Sequence, residues 1–112
     1  MLMETEKKNG LLIVRIKEKR FDARIASLFM DTIRSYVDDG AKKIILNFTI
    51  TDFIDSSGIG AIVSILKSMG NNGSIAITNP SGPVLQLLEM TQMDNIFSIY
   101  TSESAAIESL SR

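Results

Sequence analysis

The sequence contains no histidine, no cysteine and no tryptophan. Without cysteine there is no disulfide framework, no thiolate nucleophile and no iron–sulfur ligand set. Without histidine there is no Ser-His-Asp triad, no imidazole base and no ordinary zinc or haem site. Carboxylates, hydroxyls and lysines are what remains for chemistry. A net charge of -1 does not supply the basic surface that a nucleic-acid binder needs. No apolar run reaches the length of a membrane helix, so no membrane insertion is expected. The first eight residues, Met1 to Lys8, lack the apolar stretch of a signal peptide. The cytoplasm is the expected location.

What is present suits a globular fold. The chain has 112 residues, 45% hydrophobic and 22% charged, a balance that favours one folded domain spanning 1–112 over disorder. Leu11 to Ile16 is a β-rich run behind the turn pair Asn9-Gly10, and residues 1–8 can supply its hairpin partner. Ile25, Leu28, Phe29, Thr32 and Tyr36 recur at helical spacing, which predicts a helix over 23–38 that ends at Asp39-Gly40. Lys43 to Phe48 reads as a central strand covered on both faces, and Thr49 to Asp55 as a loop. A second helix is expected over 57–69, closed by Gly70-Asn71-Asn72-Gly73. Ser74 to Thr78 is another strand. Ser81 can cap a third helix, with Pro83 in its first turn and Val84, Leu87, Leu88 and Thr91 as its stripe. Ile96 to Tyr100 reads as a last strand, and Ser102 caps a final helix through Ile107 and Leu110. The expected fold class is α/β: a mixed, mostly parallel sheet of four to five strands flanked by about four helices.

One segment, Phe53 to Val63, carries more information than the others. Asp55, Ser56 and Ser57 can each accept hydrogen bonds from the free N–H groups of a first helical turn. Gly58 and Gly60 then fall inside that turn, where each costs up to about 1 kcal/mol against Ala. Helix propensity does not explain them; close approach to the backbone does. On a helical wheel Ile59, Ile62, Val63, Leu66 and Met69 form an apolar face, expected to lie on the sheet. Gly60, Ala61, Ser64 and Ser68, with Lys67 at the edge, form a flat face almost without charge. Such a face suits either close docking of another protein or packing by the chain's own loop or terminus. A hydroxyl beside Asp55 at a helix start is a plausible phosphoacceptor, because the helix dipole favours a phosphate there. The alternative is that Ser56 and Ser57 serve only as caps.

The run Asp55-Ser56-Ser57-Gly58-Ile59-Gly60 resembles the signature of the STAS domain family, in particular the anti-sigma factor antagonists of bacteria. Ile44 to Phe48 is similar to the family's strand before the signature, and Leu85 to Phe97 to its late helix, loop and strand. The resemblance implies a STAS-like mixed sheet and a partner-switching role without enzymatic activity or cofactor. In that role the unmodified protein binds an anti-sigma factor serine kinase of the histidine-kinase-like ATPase class. The kinase phosphorylates the hydroxyl residue after the signature Asp, here Ser56, and a PP2C-type phosphatase reverses the step. Asp22 corresponds to a family Asp near the kinase surface, and the implied partner-binding set is Asp22, Asp55, Ser57, Gly58, Gly60, Ala61, Ser64 and Lys67. The chain departs from the family at Lys19, where a Gly is common and where a side chain narrows the allowed backbone. A second reading keeps the fold but makes the domain a constitutive subunit of a transporter or stress-signalling scaffold. An enzyme using Ser56 with Lys67 is disfavoured, since about three helical turns, ~16 Å along the axis, separate them. Asp52 and Asp55 alone are a weak basis for a metal site.

Overall fold

The Asn9-Gly10 pair starts the sheet. Both residues adopt positive φ, 55° and 77°, the twist that joins two antiparallel strands through a two-residue turn. The turn pairs β1 (Met3–Lys8) with β2 (Leu11–Ile16), Lys8 opposite Leu11. The computed structural model describes residues 2–111. From β2 onward the chain alternates: α1 (Ala23–Asp38), β4 (Lys43–Asn47), α2 (Ser56–Ser68), β6 (Ser74–Thr78), α3 (Gly82–Met90), β7 (Ser98–Tyr100) and α4 (Glu103–Leu110). Two further strands of two residues each, β3 (Arg20–Phe21) and β5 (Phe53–Ile54), pair with one another outside this series.

The main sheet has the order β1-β2-β4-β6-β7. Only the β1–β2 pair is antiparallel; the other three are parallel. Each parallel crossover moves one place in the same direction, so right-handed connections put their helices on one face. Accordingly α1, α2 and α3 share a core with Leu12, Val14, Ile44, Leu46, Ile75 and Ile77. The alternate residues Leu11, Ile13, Ile45 and Ala76 meet Ala106, Ile107, Leu110 and Tyr100 on the other face. Strand β4 is central and buried on both faces, as its unbroken apolar run predicts.

Four local readings change. The 49–55 loop contains β5, which is too short to leave a periodic signal. Helix α2 begins at Ser56, with Asp55 as its cap. Ser81 occupies the N-cap position of α3 but makes no capping bond, and among the described residues its buried Oγ has no partner. The last strand is shorter than the apolar run, because Met93–Asn95 form a 3-10 turn and Phe97 packs into the core before β7 begins.

Candidate functional site

The two-residue pairing of β3 with β5 builds the site. Arg20 lies opposite Phe53 and Phe21 opposite Ile54, in parallel register. One step further, both chains reach an aspartate that caps a helix. Asp22 accepts from the N–H of Ile25 at 3.5 Å, and Asp55 from the N–H of Gly58 at 3.0 Å. The two caps share nearly the same extended backbone, φ/ψ -102/-170° and -114/-174°. Each carboxylate satisfies one of the four N–H groups that a helix start leaves free. The pairing therefore brings the starts of α1 and α2, with Asp22, Asp55, Ser56 and Ser57, to one edge of the molecule.

Hydrogen bonds between segments 18–22 and 51–55 hold this edge. The N–H groups of Asp52 and Phe53 both donate to the Lys19 carbonyl, at 2.9 and 3.1 Å. Thr51, fully buried, donates its hydroxyl to the Glu18 carbonyl at 2.8 Å. Lys19 is not among the residues with positive φ, so the lysine fits the backbone that the turn uses here. The Arg20 guanidinium lies 3.9 Å from the centroid of the Phe53 ring and 3.8 Å from Asp22. Thr51 escaped the sequence reading: its hydroxyl serves a carbonyl far away in the chain, and no local pattern marks it.

Ser56 and Ser57 occupy the first two positions of α2 and are both exposed; Asp55 is half-buried. Neither serine hydroxyl makes a hydrogen bond among the described residues. Both backbone N–H groups sit at the positive end of the helix dipole.

The orientation of α2 removes two residues from the expected partner-binding set. Gly58 and Ala61 point inward with Ile62, Ile65 and Met69. A β-carbon on Gly58 would lie 2.5 Å from the Phe21 carbonyl oxygen and 2.9 Å from a side-chain carbon of Ile54. The close approach expected at this glycine is thus made by the chain itself, and neither Gly58 nor Ala61 is open to a partner. Gly60 is different: nothing lies within 4 Å of a β-carbon built there. The outward stripe is Ser56, Gly60, Ser64 and Lys67, with Ser64 half-buried and the others exposed. Ile59, Val63 and Leu66, expected beneath the helix, lie along its flank and are half-buried.

A polar cluster supports the loop from the sheet's other face. Arg15 of β2 donates to Glu103 of α4 through Nε at 2.9 Å and Nη2 at 2.8 Å, and also binds Glu4 and Glu6 of β1. Asn47, at the end of β4, donates to the same Glu103 at 2.6 Å. Hydrogen bonding to Arg15 holds the Glu103 carboxyl below its ordinary range, against the opposing effect of its burial. The same bonds raise the Arg15 guanidinium further.

A shallow cleft of about 200 Å³ lies between the Asn9-Gly10 turn and the end of α1, lined by Lys7, Tyr36 and Asp39 among others. It sits at the start of β2, the opposite end of the parallel strands from Ser56. Among the described residues, no group of three or more carboxylates converges on a possible metal site, and no helix is long and apolar enough to cross a membrane.

Comparison with known proteins adds to this geometry. Residues 3–106 match the family model of the STAS domain. A Thermotoga maritima protein provisionally named an anti-sigma factor antagonist is 31% identical over 103 residues, covering 90% of this chain and 91% of its own. The anti-sigma F factor antagonist of Paenibacillus polymyxa is 29% identical over 114 residues, covering 96% and 93%. Among solved structures, the anti-sigma factor antagonist SpoIIAA in its unphosphorylated form superposes with a TM-score of 0.81 at 21% identity, over 98% of this chain and 97% of that one. The phosphorylated form of Bacillus SpoIIAA gives 0.75 at 22% identity, over 96% and 98%. At that identity the likeness is one of fold.

Proposed function

The chain belongs to the STAS domain family, and from that premise we propose that it is an anti-sigma factor antagonist of a partner-switching pathway in the cytoplasm. It is a binding module, not an enzyme: a kinase and a phosphatase carry out the chemistry at its surface. The observation that carries this reading is the exposed, unengaged hydroxyl of Ser56, directly after the capping Asp55, at the head of the flat stripe Gly60–Ser64–Lys67.

In this reading the unmodified protein docks an anti-sigma factor serine kinase over the edge formed by Asp22, Asp55 and Ser57 and along the stripe. Gly60 lets the partner approach the helix backbone. Transfer of a phosphoryl group to Ser56 adds about -1.5 to -2 charges beside Asp55. The helix start accommodates that charge, since its free N–H groups and dipole both favour it. A docked partner would have to desolvate the dianion against Asp55, so the interface is lost while the fold stays intact. A PP2C-type phosphatase restores the binding form.

The test is a pull-down with the wild-type protein and Ser56→Asp, with retained proteins identified by mass spectrometry. Retention of an ATPase-class kinase by the wild type and its loss with Ser56→Asp is the expected result. ATP should then label wild type and Ser57→Ala, but not Ser56→Ala. A partner that binds regardless of residue 56 and transfers no phosphate would overturn the switch in favour of constitutive docking.

A further inference from the structure

Asn47 uses both ends of its amide, and the two ends serve different parts of the fold. Its Nδ2 donates to Glu103 Oε2 at 2.6 Å, and that oxygen also accepts from Arg15 Nε. Its Oδ1 accepts from the N–H of Thr49 at 2.8 Å and from the Thr49 hydroxyl. The second pair of bonds closes a side-chain turn, which sets the direction in which the chain leaves β4. The chain then meets, in succession, the Thr51 bond to Glu18, the Asp52 and Phe53 bonds to Lys19, β5, Asp55 and Ser56. Glu103 is the first residue of α4, on the opposite face of the sheet from α2.

Helix α4 is short. It has eight residues, too few for independent stability, and Ala106 is its one fully buried residue. Further ties include the half-buried Ile107 and Leu110, a bond from Lys43 to the Leu110 carbonyl, a bond from the Tyr100 hydroxyl to Ser109 and the Ser102 cap on the Ala105 N–H. The charge-assisted Arg15–Glu103–Asn47 cluster holds the helix at its first residue.

We propose that Asn47 is a positioning residue for the Asp55–Ser56 edge, and that it couples the seating of α4 to the geometry of that edge. While α4 is seated, Glu103 orients the Asn47 amide so that its oxygen faces Thr49. When α4 lifts, the amide is free to rotate and the turn at Thr49 loosens. By linkage the coupling is reciprocal: a change imposed on the loop alters how firmly α4 sits. This inference rests on the reading of the Ser56 edge for its functional consequence, but its test needs neither kinase nor phosphate, so the two fail separately.

The Asn47 amide offers a donor to Glu103 on one atom and an acceptor to Thr49 on another. Asn47→Asp keeps the acceptor and sets two carboxylates against each other. Amide hydrogen exchange is expected to quicken roughly tenfold or more both in α4 and over residues 49–58, with a cooperative melt retained. In Asn47→Asp/Glu103→Gln the new amide donates to Asp at 47 and its oxygen accepts from Arg15. Exchange in both regions should then return toward wild type. Glu103→Ala removes the clamp from the α4 side alone and should also quicken exchange over 49–58. Loop exchange unchanged in both single variants, or rising no faster than α4-independent regions do, would overturn the proposal. So would a double variant that folds without slowing the loop.

Discussion

Gly58 and Phe21 touch with no space for a methyl group between them. A β-carbon at 58 would stand 2.5 Å from the Phe21 carbonyl oxygen and 2.6 Å from its ring. Backbone cannot yield cheaply there, because Phe21 is fully buried against Phe29 and Phe48. Gly58→Ala is expected to cost about 1–3 kcal/mol, the usual range for overpacking a filled core. Gly60→Ala, two residues away in open space, should stabilise by about 0.5–1 kcal/mol through helix propensity alone. Urea titrations of the two variants should therefore move the midpoint in opposite directions.

Docking should separate from folding at the same helix. Gly60→Arg fills the outward stripe with a long charged side chain at an exposed position. Its melting temperature is expected to match or exceed that of wild type, while affinity for the proposed kinase partner drops at least tenfold. Calorimetric titration beside a thermal melt distinguishes the two effects. Unchanged affinity would remove the stripe from the interface.

Negative charge at Ser56 should favour the folded state. Ser56→Asp puts a carboxylate at the first position of α2, where the dipole contributes about 0.3–1 kcal/mol at low ionic strength. Ser56→Lys should lower stability by a similar amount, and added salt should shrink both effects. If Ser56→Asp were instead strongly destabilising, the switch would act by unfolding the edge rather than by repelling a partner.

The Arg15–Glu103 pair makes a prediction about acid. Glu103 ionises more readily when folded than when unfolded, because Arg15 binds its carboxylate. Its stabilising contribution is complete above the unfolded value, about 4.3 for a glutamate, and is lost as pH falls through the lower folded value. Glu103→Gln should cost about 1–2 kcal/mol at neutral pH, as expected for a hydrogen-bonded charge only one-fifth exposed. The penalty should shrink as pH falls below the unfolded value and vanish below the lower folded one, so the wild-type and variant stability curves converge in acid. Chemical denaturation at several pH values measures this.

The elements that sequence reveals here are those with a local cause. Asn9-Gly10, the apolar run of β4, and the helical spacing of Ile25, Phe29 and Ile33 each act within a few residues of themselves. The Asp55–Gly60 signature was legible for the same reason. Pairing of Arg20–Phe21 with Phe53–Ile54 was not, since two residues carry no period and the partners lie far apart in the chain. Nor was the Arg15–Glu103 bond, across 88 positions. The misjudged face of α2 has a specific cause. The wheel through Ile59, Ile62, Val63, Leu66 and Met69 omits Ile65; in the fold Ile65 is fully buried with Ile62 and Met69, while Ile59, Val63 and Leu66 are half-buried. That rotation carries Gly58 and Ala61 inward, because small residues are what the crossing with Phe21 and α1 admits.

The hairpin strand β1 has one more effect. It forms one border of the five-stranded sheet, with a free row of backbone donors and acceptors. Such borders recruit strands from other molecules unless something discourages them. After Met3, β1 is Glu4-Thr5-Glu6-Lys7-Lys8, and all four charged residues are exposed or nearly so. At the far border, β7 has only three residues. A second copy would find a strand dense in charge at one side and little strand at the other. Self-assembly along the sheet is thus discouraged at both ends, which leaves the Ser56 edge unencumbered by copies stacked along the sheet.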